Sequence, residues 1–324
     1  MRAIGLTQEN KNSSRKNIIV LGLNPAWQKI LRFPELIPGE INRAYSVSYS
    51  PAGKGVNFAK AAKNWGGNVT VCQFIGGATG EDIIKELKNR KIKDISVKVT
   101  APTRVCTTCL CKKSRETTEL IEPASQVSPS EVRALKKAAI ENLPLCNGVA
   151  LCGTYPEGVG PNFYADIATA ARKRGIPVLL DGFAGILETL ERGVDILKVN
   201  KTEFGSITGE KNIYKAAKSF FRKYDVKMVA ITAGCSKSYF FDRNSSYELS
   251  MPLTPGIINP IGAGDTVAGV LFCELLKGTP PHESFRLALG AGTASCLNLL
   301  PAEFDVKEAR EIAEKIKCVK KGRI

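Results

Sequence analysis

Short apolar segments of β-forming residues alternate with helical segments through most of this chain. Val149 to Cys152 and Val178 to Leu180 are typical strands, and a helical stretch from Asn162 to Arg174 separates them. Strands that are joined through helices run parallel, and the helices cover both faces of the sheet. The other predicted strands are Ile18 to Leu23, Val69 to Phe74, Ile196 to Val199 and Met228 to Ile231; the other predicted helices are Ala59 to Trp65, Glu81 to Arg90, Pro129 to Asn142 and Ile213 to Tyr224. The sequence therefore predicts an α/β fold with a mostly parallel sheet, followed from Asp265 onward by helices almost throughout.

Two segments break this alternation. Residues 30–49 carry Tyr45, Val47 and Tyr49 at alternate positions, and residues 103–122 alternate in a β manner with a turn near Ser114. Two inserted strand pairs of this kind would form a small second sheet that stands off the main one. We expect such a sheet to close over a ligand as a lid.

The composition narrows the classes of partner. The 324 residues are 44% hydrophobic and 24% charged, values typical of globular proteins. A formal net charge of +15 favours acidic partners such as phosphorylated metabolites and nucleotides. The densest basic clusters, Lys88 to Lys93 and Lys317 to Arg323, are typical of solvated helix faces or a tail. Aromatic residues do not interleave with the basic ones, so we expect no nucleic-acid partner.

The same inventory indicates a cytoplasmic protein. Residues 1–16 are polar and basic, which predicts a disordered extension rather than a signal peptide. No apolar run reaches the roughly 18 residues that a membrane span needs, so we expect no membrane partner. Ten cysteines without a secretion signal indicate reduced thiols. Cys106, Cys109 and Cys111 crowd one segment, and we interpret them as small apolar strand residues.

The most informative motif is a glycine turn between Ile257-Ile258 and a helical segment that begins near Val267. A strand, a glycine turn and a helix in this order direct backbone N–H groups and a helix dipole at one point, which makes an anion site. Asp265, in the first helical turn, would stand beside the anion and could take a proton from an attacking hydroxyl. The alternative is an ordinary helix N-cap. The motif reads Asn259-Pro260-Ile261-Gly262-Ala263-Gly264-Asp265-Thr266.

Other turn motifs follow other predicted strands, where open α/β sheets bind their ligands. Lys54 supplies a cation between two glycines, and Asn57 can bond hydroxyls. Asn200 and Glu203 are three residues apart and share a helix face, which suits either a water-rich Mg²⁺ site or a capping box. The motifs are Ala52-Gly53-Lys54-Gly55-Val56-Asn57, Cys152 to Gly158, Lys198 to Glu203, and Thr232-Ala233-Gly234.

These turns, in this order, resemble the ribokinase-like (PfkB) carbohydrate kinases, and most of all the 1-phosphofructokinase and tagatose-6-phosphate kinase branch. The resemblance extends from Ile18 to about Lys315. It implies a three-layer αβα domain over residues 17–29, 50–102 and 123–324, with a β-sheet lid over residues 30–49 and 103–122. Such a lid often also serves as a dimer clasp, so a homodimer through the lid is implied. Further markers are Leu23-Asn24-Pro25-Ala26, Gly39-Glu40-Ile41-Asn42-Arg43 and Thr103-Arg104.

The resemblance also implies roles for individual residues. Asp265 is the implied catalytic base, with Gly262, Ala263 and Gly264 as the anion hole. Asn200 and Glu203 would organise Mg²⁺ and phosphate. The implied cofactors are ATP and Mg²⁺, with a monovalent cation left open. The nucleotide or cation side would include Lys198, Thr232, Gly234 and Asn298, and the sugar-phosphate side would include Gly53, Lys54, Asn57, Arg104 and Arg43.

Three positions depart from the family pattern. Gln28 stands where the family carries an aspartate that holds sugar hydroxyls, Lys237 stands near the nucleotide-side Gly234 where a glycine is usual, and Pro260 replaces a threonine. The implied function is ATP-dependent phosphorylation of a ketohexose monophosphate. Two alternatives remain open: a kinase for an unphosphorylated sugar or nucleoside, and a pseudokinase that senses sugar phosphate. The intact base argues against the pseudokinase.

Overall fold

The computed structural model describes residues 16–124, 126–235 and 237–323. Fourteen strands are found in this part of the chain, and the predicted N-terminal extension lies almost entirely outside it. The strands are β1 (Asn17–Leu21), β2 (Ala26–Phe33), β3 (Ser46–Ala52), β4 (Asn68–Ile75), β5 (Lys93–Lys98), β6 (Val105–Cys111), β7 (Thr117–Ile121), β8 (Gly148–Cys152), β9 (Val178–Asp181), β10 (Val194–Asn200), β11 (Val226–Thr232), β12 (Lys237–Asp242), β13 (Ser246–Ser250) and β14 (Lys317–Gly322).

Ten of these strands form the main sheet, in the order β14-β13-β12-β11-β10-β9-β8-β1-β4-β5. The seven strands from β11 to β5 are parallel, and β12, β13 and β14 continue the sheet antiparallel. The predicted parallel sheet is confirmed, and all six predicted core strands are present within about two residues of their expected ends.

Helices cover both faces of this sheet because each crossover between parallel strands is helical. One buried cluster contains Phe58, Phe272 and Phe285, and the cluster on the opposite face contains Tyr164 and Phe204. The helices are α1 (Lys54–Asn64), α2 (Gly77–Asn89), α3 (Pro129–Asn142), α4 (Asn162–Arg172), α5 (Leu187–Arg192), α6 (Lys201–Thr208), α7 (Ile213–Lys223), α8 (Ala263–Lys277), α9 (Pro281–Cys296) and α10 (Val306–Lys315). Among the described residues, no helix is both long and apolar enough to cross a bilayer.

The second sheet has four strands in the order β3-β2-β6-β7. β2 pairs antiparallel with β3 and parallel with β6, and β6 pairs antiparallel with β7. The two inserted segments therefore meet in one sheet, as the sequence predicts, and we call this sheet the lid. The domain limits stated above stay predictions.

The C-terminal basic cluster is a correction to the sequence analysis. Residues from Lys317 onward were expected to form a helix face or a tail, but they form β14, which pairs antiparallel with β13. An edge strand with one exposed side needs little apolar alternation, and lysines on it are common because they discourage further pairing. The prediction of helices almost to the end is wrong for this segment.

A close backbone contact fixes the start of α1 against the end of β1. A Cβ on Gly55 would lie 2.4 Å from Cα of Gly22, and a Cβ on Gly22 would lie 2.6 Å from Cα of Gly55. Real Cβ atoms do not approach so closely, so both positions need glycine. This contact brings Lys54, the first residue of α1, over the carboxyl ends of the parallel strands.

Candidate active site

The glycine turn lies at the start of α8, where the sequence places an anion site. Gly262 has φ of 80°, and a Cβ there would meet Cβ of Pro301 at 3.0 Å. The Ala263 N–H donates to the carbonyl oxygen of Pro260, whereas the N–H groups of Gly264 and Asp265 belong to the first helical turn, which has no intrahelical acceptors. These two N–H groups are therefore available for an anion at the positive end of the helix dipole.

The segment before this turn differs from the sequence prediction. Ile257 and Ile258 were expected to form a strand, but residues 251–260 are irregular and both isoleucine side chains are about half exposed, at 51% and 46%. The N–H groups of Ile258 and Asn259 both donate to the Cys296 carbonyl. The buried Asn259 amide donates to the Leu299 carbonyl at 2.8 Å. The last residue of α9 and the loop after it, rather than a sheet ladder, thus hold the turn in place.

Asp265 is buried at 8% exposure, and two side chains of α1 hold its carboxylate. Asn57 Nδ2 donates to Oδ2 at 2.8 Å, and Lys54 Nζ lies 3.4 Å from Oδ1. Both partners come from the glycine-flanked motif at residues 52–57, which the sequence assigns to the sugar side. The carboxylate is thus oriented at the point where the glycine turn and the sugar-side motif meet.

Asp181, at the end of β9, is a site residue that the sequence analysis missed. Its Oδ1 lies 2.8 Å from Nζ of Lys54 and 3.6 Å from Nζ of Lys198, and it is 1% exposed. Burial alone would raise the pKa of Asp181, but the two ammonium groups outweigh it and lower that pKa. Its Oδ2 is buried without a hydrogen-bond partner among the described residues. Its position directly after the apolar run 178–180 was the available signal.

Lys54 lies between two carboxylates. Burial disfavours its charged form, but the charges of Asp181 and Asp265 overcome that penalty and raise its pKa well above the usual range. Lys54 is therefore a permanent cation at neutral pH. Its partners hold the ammonium group beside Asp265, where it can neutralise an anionic substrate.

A cavity of about 330 Å³ opens beside Asp265, between the strand ends and the lid. Six of the predicted site residues line it, and Glu119 of β7, which the sequence analysis did not select, lines it as well. The complete lining is Gly22, Asn24, Ala26, Gln28, Gly53, Lys54, Gly55, Asn57, Arg104, Cys106, Glu119, Ile121, Cys152, Gly153, Thr154, Ile261 and Asp265.

Gln28, on the lid strand β2, and Arg104, immediately before the lid strand β6, both reach this cavity. Gln28 is 3% exposed, and its Nε2 donates to Oγ1 of Thr108 at 2.7 Å. The Arg104 guanidinium donates to the carbonyl oxygens of Asn24 at 3.2 Å and Pro25 at 3.4 Å, and also to Glu122 O at 3.3 Å. Arg104 therefore has a structural role at the junction of the lid with the main domain, in addition to lining the cavity.

The predicted nucleotide-side residues lie along the neighbouring strand ends, outside the cavity lining. Asn200 pairs with Thr232 in the sheet register, and Gly234 follows with φ of 65°. Lys198 is buried beneath the glycine turn, since a Cβ on Gly264 would lie 2.8 Å from its Nζ. The ammonium group thus adds positive charge behind the anion hole.

Asn200 and Glu203 form a capping box at the start of α6. The Asn200 N–H donates to Oε2 of Glu203 at 2.7 Å, and the Glu203 N–H donates to Oδ1 of Asn200 at 2.8 Å. The second carboxylate oxygen of Glu203 has no partner among the described residues. One free carboxylate oxygen suits Mg²⁺, which keeps most of its waters. No cluster of three or more His, Cys, Asp or Glu side chains that could hold a metal occurs in residues 16–124, 126–235 and 237–323.

Two predicted residues lie away from the cavity. Arg43 is exposed in the connection between β2 and β3 and does not line the cavity. Asn298 follows α9, and its Nδ2 donates to the Ala294 carbonyl at 3.1 Å. Among the described residues, neither has a hydrogen bond or ion pair with Asp265.

A carboxylate beside a glycine turn at a helix N-terminus can take a proton from a hydroxyl while the turn stabilises charge on a transferring phosphoryl group. Residues 17–305 match the pfkB family carbohydrate kinase model, and the protein belongs to that family. Its reaction is therefore the ATP-dependent phosphorylation of a sugar, a reaction that generally requires Mg²⁺.

Solved structures share this fold over nearly the whole chain. Phosphofructokinase-2 from Escherichia coli in complex with potassium is similar at 23% identity and a TM-score of 0.84, over 93% of this chain and 99% of that one. A possible 1-phosphofructokinase from Thermotoga maritima is similar at 17% identity and 0.81, over 94% and 99%. Ribokinase from Arabidopsis thaliana, complexed with ribose and ATP, is similar at 20% identity and 0.73, over 93% and 99%. The ribokinase-like fold prediction is confirmed.

Proposed function

We propose that the protein phosphorylates a hydroxyl of a ketohexose monophosphate, with Asp265 as the general base. The observation that carries this proposal is the position of Asp265. Its carboxylate is held by Asn57 at 2.8 Å, faces the cavity and stands in the first turn of the helix that begins at the glycine turn. The base, the acceptor site and the anion hole are therefore contiguous.

Each part of this site has a step in the proposed reaction. Asp265 accepts the proton of the attacking hydroxyl, while the N–H groups of Gly264 and Asp265 stabilise charge on the transferring phosphoryl group. Lys54 and Lys198 add positive charge on two sides of the turn. Lys54 and Arg104 are the cavity-lining cations for the phosphate of the acceptor sugar. The lid, which forms one wall of the cavity, excludes water.

The nucleotide side of the proposal uses Asn200, Glu203 and Thr232 at adjacent strand ends, followed by Gly234. Mg²⁺, when bound, neutralises charge on the phosphates of ATP, and Glu203 with Asn200 would hold it through water. Potassium accompanies the similar phosphofructokinase-2. In this chain the Leu299 and Pro301 carbonyls beside the turn already accept from Asn259 and Lys60, and the proposal contains no step that needs a monovalent cation.

A specific observation favours a second candidate, a kinase for an unphosphorylated sugar. The Arg104 guanidinium already donates to three backbone carbonyls, so its donors are partly used before any phosphate binds. A panel of sugars and sugar phosphates, assayed with ATP and Mg²⁺, separates the two candidates.

We expect turnover on fructose 1-phosphate, fructose 6-phosphate or tagatose 6-phosphate. We also expect Asp265→Asn to lower that turnover by roughly 10²-fold or more, a typical general-base contribution, while ATP binding persists. Turnover confined to unphosphorylated sugars or nucleosides would contradict the proposed acceptor. Near-normal turnover in Asp265→Asn would remove that residue from the mechanism.

We also propose a cytoplasmic homodimer that associates through the outer face of the lid. Val47, Tyr49 and Leu120 lie opposite Leu31, Lys29 and Thr107 in the register, on the face away from Gln28. These three side chains are about half exposed, at 49%, 50% and 58%, and make an apolar surface that a second copy of this chain would bury.

Val47→Glu places a charge on this face and should convert the dimer to a monomer in light scattering coupled to size exclusion. A wild-type protein that is monomeric at micromolar concentration would contradict the dimer.

A further inference from the structure

Gln28 supplies the proposed sugar site with a neutral side chain and no charged hydrogen-bond acceptor. Its Nε2 is committed to Oγ1 of Thr108, so its oxygen is the end that remains for a ligand. No donor among the described residues meets that oxygen. Hydrogen bonds to a neutral amide oxygen are roughly half as strong as hydrogen bonds to a carboxylate. A sugar held only by Gln28 would therefore be held without a charged acceptor.

Glu119 brings a carboxylate to the same cavity from β7, an edge strand of the lid. It belongs to β7 and lies opposite Thr108 in the register, while its neighbour Ile121, two residues along, lies opposite Cys106. Gln28 also lies opposite Cys106, on the other side of β6. Residues two apart on a strand share a face, so Glu119 is on the lid face that carries Gln28. Both side chains line the cavity.

The electrostatic environment of Glu119 leaves its carboxylate free to accept hydrogen bonds from a ligand. No lysine, arginine or hydrogen-bond donor among the described residues pairs with its carboxylate. Partial burial, followed by the charge of Asp265, raises its pKa, which is the response of a carboxyl group that faces the base across the cavity. An unpaired carboxylate that faces a cavity proposed for a polyol is a strong acceptor of hydroxyl hydrogens.

We propose that Glu119 is a specificity-determining residue that accepts hydrogen bonds from sugar hydroxyls and supplies the charge that Gln28 lacks. The inference rests on the proposed function only in that the ligand is a sugar. The charged hydrogen-bond acceptor of the sugar site is then on β7 rather than on β2. Recognition of the hydroxyls is then coupled to the position of the lid, because β7 is one of the lid strands.

The test compares Glu119→Gln with Glu116→Gln, a matched change at another exposed glutamate of the same lid segment that does not line this cavity. Sugar binding is measured by calorimetry without ATP, and KM and kcat are measured with ATP. The sugar is whichever member of the panel binds best to the wild-type protein. We expect Glu119→Gln to weaken binding and raise KM by roughly tenfold to hundredfold, as for a lost charge-assisted hydrogen bond, with kcat much less affected. Glu116→Gln should behave as wild type.

The double variant Gln28→Asp with Glu119→Gln makes the test sharper. A carboxylate at position 28 should restore much of the affinity lost in Glu119→Gln, whereas Gln28→Asp alone should gain little because two carboxylates then face one ligand. Equal KM values for Glu119→Gln and Glu116→Gln on a phosphorylated ketohexose would overturn the inference and leave the proposed function intact. Turnover only on an unphosphorylated sugar would overturn the proposed acceptor, and the same variants on that sugar would still decide the role of Glu119. A change in dimer mass without a change in KM would assign Glu119 to the interface instead, and a protein that binds no polyol refutes both proposals.

Discussion

Replacing Lys60 with methionine tests how the protein tolerates an ammonium group in its interior. The Lys60 side chain is 1% exposed, and its Nζ donates to the Pro301 carbonyl at 2.5 Å and to Oγ of Ser50 at 3.0 Å. Oε1 of Glu303 lies 3.5 Å away. Burial is the largest effect on the pKa of Lys60 and, with the charge of Arg90, outweighs the attraction of Glu303 and Glu86, lowering the pKa from 10.5 to about 8.

This shift sets the size and the sign of the expected effect. Each pKa unit corresponds to about 1.4 kcal/mol, so a change from 10.5 to about 8 amounts to about 3 kcal/mol. Between these two pH values the unfolded chain keeps the Lys60 proton and the native protein releases it. The free energy of unfolding therefore increases as pH rises. Below pH 8 both states are protonated and this contribution is constant.

The assay is urea unfolding of wild type and Lys60→Met at pH 7, 9 and 10.5. The difference in unfolding free energy, wild type minus variant, should rise by about 3 kcal/mol across this range because methionine has no proton to release. Lys307→Met, at a lysine whose side chain is 87% exposed, is the matched control and should leave the pH dependence unchanged. If the wild-type and Lys60→Met stabilities change in parallel with pH, Lys60 is not a buried ammonium group and the reasoning fails.

Two further substitutions examine the site. Arg104→Ala should weaken sugar-phosphate binding by about 2–4 kcal/mol if the guanidinium makes a desolvated contact with the phosphate, and it should weaken the binding of unphosphorylated sugars by less. Equal losses of binding free energy in calorimetry on both kinds of ligand would mean that Arg104 acts only through its contacts with backbone carbonyls. Glu203→Gln should raise the Mg²⁺ concentration needed for half-maximal turnover. Thermal stability should change little, since glutamine can still accept a hydrogen bond from the Asn200 N–H. Superimposable Mg²⁺ titrations of variant and wild type would mean that Glu203 acts only as a helix-capping residue.

The sequence predicts best those elements whose local signals and tertiary roles agree. The bounds of α3 are predicted at Pro129 and Asn142 and observed there, because Ser128 forms a capping box with Glu131 and proline starts the helix. Asp265, Asn57 and Lys54 are brought together because each lies in the first turn of a helix that begins at a glycine, and α1 and α8 start side by side.

The misses have physical reasons too. Asp181 is indistinguishable in sequence from the last residue of any buried strand, and only the tertiary structure brings Lys198 of the paired strand β10 and Lys54 of α1 to it. Ile257 and Ile258 have strand composition, but the N–H groups of Ile258 and Asn259 donate to the carbonyl of Cys296, the last residue of α9, a contact across nearly 40 residues that no local pattern reports. Glu119 was overlooked because its role depends on which lid face meets the cavity.

The parallel pairing of β2 with β6 has a consequence for how the protein acquires its structure. Gln28 and Thr108, which bond across this pair, are 80 residues apart along the chain. Closing so long a loop is unfavourable until the intervening strands and helices have already folded and brought the two ends close. The pairing of β2 with β6 should therefore form only after the intervening α1, β4, α2 and β5 have folded. The lid amides should exchange with solvent through local opening, while those of the buried strands β1, β8 and β9 exchange only through global unfolding.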